Sequence, residues 1–252
     1  MENKRENKPE NKPEAKDNEK KLVLDNAAIE ADLLRPGRSW FYQLVLNLFT
    51  AVGKLLFFVR IEGRENMPEG ACVIMGNHRA WMDPFFLAMC ARDREIRFMG
   101  KKELWGNKLF AWIAKQVRGV PVDRGTADMA SIRMSMTVLK AGHTLGIFPE
   151  GTRTKGDGML PLQGGASLLA LRSKCAVVPV YIDGDYRLFR RVTVRVGKPV
   201  AMDDLIAGRI NKDTCDVLTE RITAAFGELS GGRSLLPPVQ SKAKNEQKAA
   251  NH

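Results

Sequence analysis

Apolar positions along the chain fall into short runs separated by turns and by longer segments of helical period. The runs Ala71–Met75, Glu95–Met99, Thr144–Phe148, Ala176–Ile182 and Val192–Val196 have the length of strands. Val59–Glu62 reads as another strand, followed by a turn over Gly63–Gly70. Gly119–Val122 is a shorter extended segment. Its Pro121 suits an edge strand, because proline donates nothing to a ladder. Between these runs lie predicted helices at Phe85–Ala91, Lys108–Gln116, Ala166–Ser173 and Lys212–Leu229. The last carries Leu218, Ile222, Ala225, Phe226 and Leu229 on one face. Residues 127–141 form a further predicted helix that ends at Gly142. Its stripe of Met129, Ile132, Met136 and Leu139 is expected in the core. Strands alternating with helices predict an α/β fold with a central mixed sheet flanked by helices.

Ahead of this pattern, residues 25–34 read as a short helix ending near Pro36-Gly37, and Ser39 reads as the cap of a longer helix from Trp40 to about Val59. The longer helix is mostly apolar. Gln43, Asn47, Thr50 and Lys54 form one narrow polar stripe down it, and Trp40, Phe41 and Tyr42 sit at one end. It is near the length of a membrane span, so three readings are open: lying in a membrane interface, spanning it, or packing as a core helix. A Lys54 inside a span is costly, and an amphipathic helix in the interface explains the stripe better.

The ends of the chain differ from this body. Residues 1–20 hold no large apolar residue beyond Met1, so they are expected to be disordered and are not a secretory signal. The expected division is a charged tail and short helix over 1–34, a membrane-associated helical segment over 35–60, a folded domain over 61–230 and a basic flexible tail over 231–252. The 252 residues are 44% hydrophobic, enough for one sizeable core. The formal net charge is +11. The first 25 residues carry seven basic and seven acidic side chains, so the excess lies further on and suggests an anionic partner. No nucleic-acid module is recognisable. Cys72, Cys90, Cys175 and Cys215 are not spaced for a zinc pair and read as buried, reduced thiols. With only His78, His143 and His252 available, no metal site is expected.

The candidate chemistry clusters at strand ends, where open α/β sheets place their sites. The segment Asn77-His78-Arg79-Ala80-Trp81-Met82-Asp83-Pro84 follows one strand and opens a helix. Pro84 suits the first helical turn, and Asp83 reads as the helix N-cap. His78 and Asp83 are too far apart to share a regular helix face, so they meet only if the segment turns back on itself. Asp83 would then hold one imidazole nitrogen and leave the other free as a base. Lys101, Lys102 and Arg124 add cations at other strand ends. Glu150-Gly151-Thr152-Arg153 adds a glycine, a hydroxyl and a guanidinium whose fork matches phosphate. Base and cationic cradle together suggest deprotonating a hydroxyl on a phosphorylated molecule and directing it at an acyl carbonyl. Glu150 has two readings, a ligand contact or an ion-paired brace of its loop.

Asn77-His78-x4-Asp83, Val122-Asp123-Arg124, Phe148-Pro149-Glu150-Gly151-Thr152-Arg153 and Val178-Pro179-Val180 stand in the order of the four motifs of the glycerolipid acyltransferase family. The resemblance covers about residues 40–200 and is greatest to the 1-acyl-sn-glycerol-3-phosphate acyltransferases. It implies a glycerol-3-phosphate acyltransferase-like fold with an N-terminal amphipathic membrane-associated helix. It also implies His78 as general base and Asp83 as its orienting partner. Arg124, Glu150, Gly151, Thr152 and Arg153 would bind the acceptor phosphate, with Asn77 and either Lys101 or Lys102 in support. Val178-Pro179-Val180 would back an acyl pocket. The implied reaction gives phosphatidic acid without an acyl-enzyme. It needs no cofactor beyond an acyl-CoA or acyl-acyl-carrier-protein co-substrate. Its partners are a lysophospholipid acceptor, the thioester donor and an anionic membrane surface, with the protein peripheral on the cytoplasmic face. Two alternatives stay open: another lysophospholipid or glycerol 3-phosphate as acceptor, or a non-catalytic module that binds anionic lipid.

Overall fold

The computed structural model describes residues 27–123, 129–154 and 158–232. Arg124, the tail before residue 27 and most of the basic C-terminal tail lie outside the described residues. Seven strands form one sheet: β1 (Arg60–Glu62), β2 (Cys72–Gly76), β3 (Ile96–Lys101), β4 (Val120–Val122), β5 (Thr144–Ile147), β6 (Ala176–Gly184) and β7 (Val192–Val196). Their spatial order is β1-β7-β6-β2-β5-β3-β4. Strands β2 to β6 run parallel; β7 is antiparallel to β6 and carries β1 parallel to itself. The sheet is therefore mixed, as expected, and Pro121 does lie in an edge strand.

The helices are α1 (residues 27–33), α2 (Trp40–Leu56), α3 (Asp83–Cys90), α4 (Lys108–Gln116), α5 (Met129–Lys140), α6 (Gly164–Ser173), α7 (Asp203–Ile206) and α8 (Lys212–Leu229). They bury both faces of the sheet. Val73 and Met75 of β2 point into one core with Val138, Leu169, Leu218, Ile222 and Phe226. Cys72 and Ile74 point into the other with Tyr42, Leu46, Phe57 and Phe86. The strand period of two divides the side chains this way, and burial on both faces is why β2 reads as an unbroken apolar run.

Helix α5 departs from its predicted stripe. Its buried residues are Ser131, Met134, Ser135, Val138 and Leu139, whereas Met129 is exposed and Ile132 and Met136 are half-buried. Two serines supply part of the close-packed face, and a pattern read from large apolar residues alone does not count them. The cysteines also divide: all four are free, but only Cys72 and Cys90 are buried.

The long predicted helix is shorter than expected. Helix α2 ends at Leu56, and the chain turns through Phe58 at φ 42° before β1. Its polar stripe does not form a single wet face. Thr50 is buried and bonds back to the Leu46 carbonyl at 2.7 Å, while Asn47 accepts from Arg92 at 2.9 Å. The face turned to the protein is Tyr42, Leu46, Thr50 and Gly53. The opposite face is apolar and exposed: Trp40 at 71%, Leu48 at 62%, with Leu44 and Leu55 between and beyond. Among the described residues no helix is long and apolar enough to cross a membrane.

A buried ionic cluster ties α2 to the sheet. Glu95, just before β3, accepts from the amide of Ser39, the α2 N-cap, at 2.7 Å and faces Arg118 at 3.4 Å. Arg97 lies wholly inside and donates to the carbonyls of Leu33 and Arg35 at 2.6 and 3.1 Å. Burial pulls the Arg97 guanidinium down to about 10, partly countered by Glu95.

Candidate active site

The carboxyl ends of the parallel strands line one edge of the sheet, and the segments that leave them carry the expected residues. Central strand β2 ends at Gly76. Asn77 then continues the pairing with β6 through its side chain, donating to the Ile182 carbonyl at 3.0 Å and accepting from the Ile182 amide at 2.6 Å. That pair fixes the point at which the chain leaves the sheet.

The next segment does turn back on itself, and it brings His78 Nδ1 to 2.9 Å from Asp83 Oδ2. Asp83 is completely buried. The same Oδ2 accepts from the amides of Arg79 and Ala80 at 2.6 and 2.7 Å. Asp83 is thus not the cap of α3: Met82 occupies the N-cap position, and the carboxylate serves the amides of the preceding turn instead. Those amides point inward with no ladder to satisfy them, so a buried acceptor is needed there. An ionised carboxylate only accepts, so it assigns the proton to Nδ1 and leaves the Nε2 lone pair free. Among the described residues Nε2 has no hydrogen-bond partner. The imidazole stacks on Phe148, with ring centres 4.1 Å apart and planes 20° from parallel.

The loop after β5 clamps His78 from the other side. Glu150 Oε1 accepts from the His78 amide at 2.6 Å, and the Thr154 amide donates to the His78 carbonyl at 2.7 Å. Glu150 Oε2 accepts from the Thr154 hydroxyl and from the Leu160 amide at 2.9 Å. Glu150 is buried with both oxygens occupied by protein donors, and through them it braces the loop. The partners are amides and a hydroxyl, and not the arginine of the ion-paired reading. Burial pushes this carboxyl above its ordinary value, and the hydrogen bonds oppose that shift. Gly151 turns the chain at φ 71°, a conformation that favours glycine, and a Cβ there would press on Gln163.

Thr152 and Arg153 project from that turn and are exposed, and Arg153 has no ion pair with a described residue. Lys101 closes β3 and pairs with Glu103 at 3.0 Å. Lys102 instead borders a cavity of about 340 Å³ with Trp105, Ala111, Ala114 and Pro121. Val178 and Val180 are fully buried in the core beside β2.

One contact was invisible in the sequence. Tyr186, just beyond β6, donates to Asp83 Oδ1 at 2.6 Å. It belongs to none of the four motifs, and its place two residues past a strand end was its only signal.

The Acyltransferase family profile matches residues 58–183. The chain is 31% identical to a 1-acyl-sn-glycerol-3-phosphate acyltransferase of Bacillus subtilis over 75% of its own length and 96% of that protein. It is 29% identical to the Streptococcus pneumoniae protein of the same name over 62% and 60% of the two lengths. The crystal structure of the 1-acyl-sn-glycerophosphate acyltransferase PlsC of Thermotoga maritima shares the fold, with a TM-score of 0.56 at 24% identity, covering 86% of this chain and 90% of that one.

Proposed function

The chain belongs to the Acyltransferase family, and from that premise we propose that it moves a fatty acyl group from a thioester donor to the free sn-2 hydroxyl of 1-acyl-sn-glycerol 3-phosphate, forming phosphatidic acid. The observation that carries this reading is the 2.9 Å pair of His78 and a fully buried Asp83 at the end of the central strand, with Nε2 left free. In the reaction, Nε2 takes the hydroxyl proton as the oxygen attacks the thioester carbonyl. The C–S bond then breaks, and the leaving thiolate recovers the proton from His78. Asp83 holds the Nδ1 proton and stabilises the imidazolium between these events. The acyl group passes directly from sulfur to oxygen, so no protein nucleophile takes part.

Arg153, Thr152 and the Gly151 backbone are assigned to the acceptor phosphate, and Arg124 is assigned with them on the motif Val122-Asp123-Arg124 alone. The exposure of Thr152 and Arg153 and their donor chemistry support this, and the occupied carboxylate of Glu150 gives it the bracing role instead. Lys101 or Lys102 steadies the negative charge of the substrates. The donor is acyl-CoA or an acyl-acyl-carrier protein, and no resident cofactor is invoked.

The enzyme docks on the cytoplasmic face of a membrane through its apolar rim. The outer face of α2 continues through the 5.1 Å edge contact of Phe41 with Trp112 into the exposed Leu109 and Phe110 of α4. Leu188 and Phe189 join it beside the end of α2, flanked by exposed Arg187, Arg190 and Arg191. Apolar side chains next to cations suit an anionic lipid surface.

The test is an assay of purified protein with lysophosphatidic acid and each donor in turn, following phosphatidic acid. The expected result is transfer by the wild type and transfer lower by about 10²-fold or more in His78→Ala. Undiminished transfer by that variant would refute the mechanism.

A further inference from the structure

We propose that Tyr186 is a positioning residue for the His78–Asp83 pair, holding Asp83 Oδ1 so that Oδ2 stays on the imidazole; this rests on the acyl-transfer reading above. Four observations support it. The phenol donates to Oδ1 at 2.6 Å, which completes the shell of a carboxylate buried from water. The ring is itself held, stacked on Phe86 of α3 at 5.6 Å with the Arg79 guanidinium 5.7 Å from its centre. Arg79 is fixed in turn by a 3.2 Å bond to the Gly184 carbonyl. Gly184 stands at φ 134° with Arg191 O only 2.6 Å from where a Cβ would lie, so the β6–β7 connection that carries Tyr186 passes through a point only glycine fits.

Burial, and then the Asp83 charge, push the Tyr186 hydroxyl far above its ordinary value, so it stays a donor throughout the working pH range. The charged and titratable groups around the pair are Arg79, Tyr181, and Glu150 behind the His78 amide. Asp185, next in the loop, turns to Arg187 at 3.1 Å.

The consequence has a definite sign. Without the phenol, Oδ1 becomes a buried acceptor with no donor. The carboxylate then draws the Nδ1 proton more strongly and favours the imidazolium, so a higher pH is needed to free the base. Tyr186→Phe removes only the hydroxyl and keeps the stacked ring. In the full-length enzyme the acid limb of kcat against pH should move up by roughly half a unit or more, with KM for lysophosphatidic acid unchanged. Activity on that limb should fall about three- to tenfold.

Nitrogen-15 NMR of the histidine rings gives a readout independent of turnover, since the chain has only His78, His143 and His252. The His78 resonances should titrate at higher pH in the variant, while those of His143 stay in place. An unmoved acid limb together with unmoved His78 resonances would overturn the role of Tyr186, even if kcat falls. Absence of transfer by the wild type would instead defeat the acyl-transfer reading, and the NMR comparison would then decide the Tyr186 contact alone.

Discussion

The buried carboxylate of Glu150 accepts a hydrogen bond from the main-chain amide of His78 at 2.6 Å, across 72 residues of sequence. Two strand-end segments are thereby fastened at His78, the proposed base. Glu150→Gln keeps one accepting oxygen on the His78 amide but turns an amide NH₂ toward the Leu160 amide, opposing donor to donor. The expected cost is about 1–3 kcal/mol of stability, measured by urea unfolding. The pH dependence follows from the raised carboxyl. The folded protein holds that proton more tightly than the unfolded chain. The carboxyl therefore adds stability below its unfolded value of about 4.3, and this is lost as pH rises through the folded value. The gap between wild type and Glu150→Gln should be wider near about pH 4 than at neutral pH. An equal gap at both would remove this carboxyl from the titration.

His78→Ala should lower kcat by about 10²- to 10⁴-fold, the range that a general base supplies. Asp83→Asn should lower it comparably for another reason. Its amide oxygen stays at the Oδ2 position, held by the Arg79 and Ala80 amides, and its NH₂ turns to the Tyr186 hydroxyl, so Nδ1 keeps an acceptor but the imidazolium loses the charge that stabilises it. Both proteins should be purified and compared by steady-state kinetics and thermal unfolding. His78→Ala should unfold near the wild-type temperature, whereas Asp83→Asn should be less stable.

Arg153→Ala tests the phosphate assignment. Its side chain is exposed and carries no ion pair with a described residue, so removing it should leave the fold intact. KM for lysophosphatidic acid should rise about tenfold or more, as expected for a lost charge-assisted contact, with little change in kcat. An unchanged KM would remove Arg153 from the site.

Two leucines on α2, two residues apart, should behave in opposite ways. Leu46 is buried in the core, and Leu46→Ala should cost about 2–5 kcal/mol of stability. Leu48 faces outward, and Leu48→Ser should leave stability nearly unchanged while weakening vesicle binding by about 1.5–3 kcal/mol. Co-sedimentation with anionic vesicles beside thermal unfolding separates these outcomes. Equal vesicle binding by Leu48→Ser would move the docking face elsewhere.

Sequence alone determined where the main strands and helices lie and which histidine and aspartate to propose as base and partner. Strand runs and helix periods are local, and each element forms where its own residues bury one or both faces, so β2, β5, β6 and α8 fall where the pattern placed them. His78 and Asp83 lie within one short segment, and their spacing showed that they could meet only through a turn. Distant contacts carry no such local mark. Glu95 and Arg97 look like ordinary strand charges, yet both are buried and hold α1 and α2 through main-chain groups far along the chain. Glu150 reads equally as ligand or brace until its oxygens are seen to be occupied. Tyr186 gains its part only because β6 lies beside β2 in space. Helix α2 shows the same division: its composition established that it is amphipathic, but which apolar face is covered by the protein and which is left bare depends on where Tyr42, Leu46 and Gly53 meet the sheet, a decision made by packing.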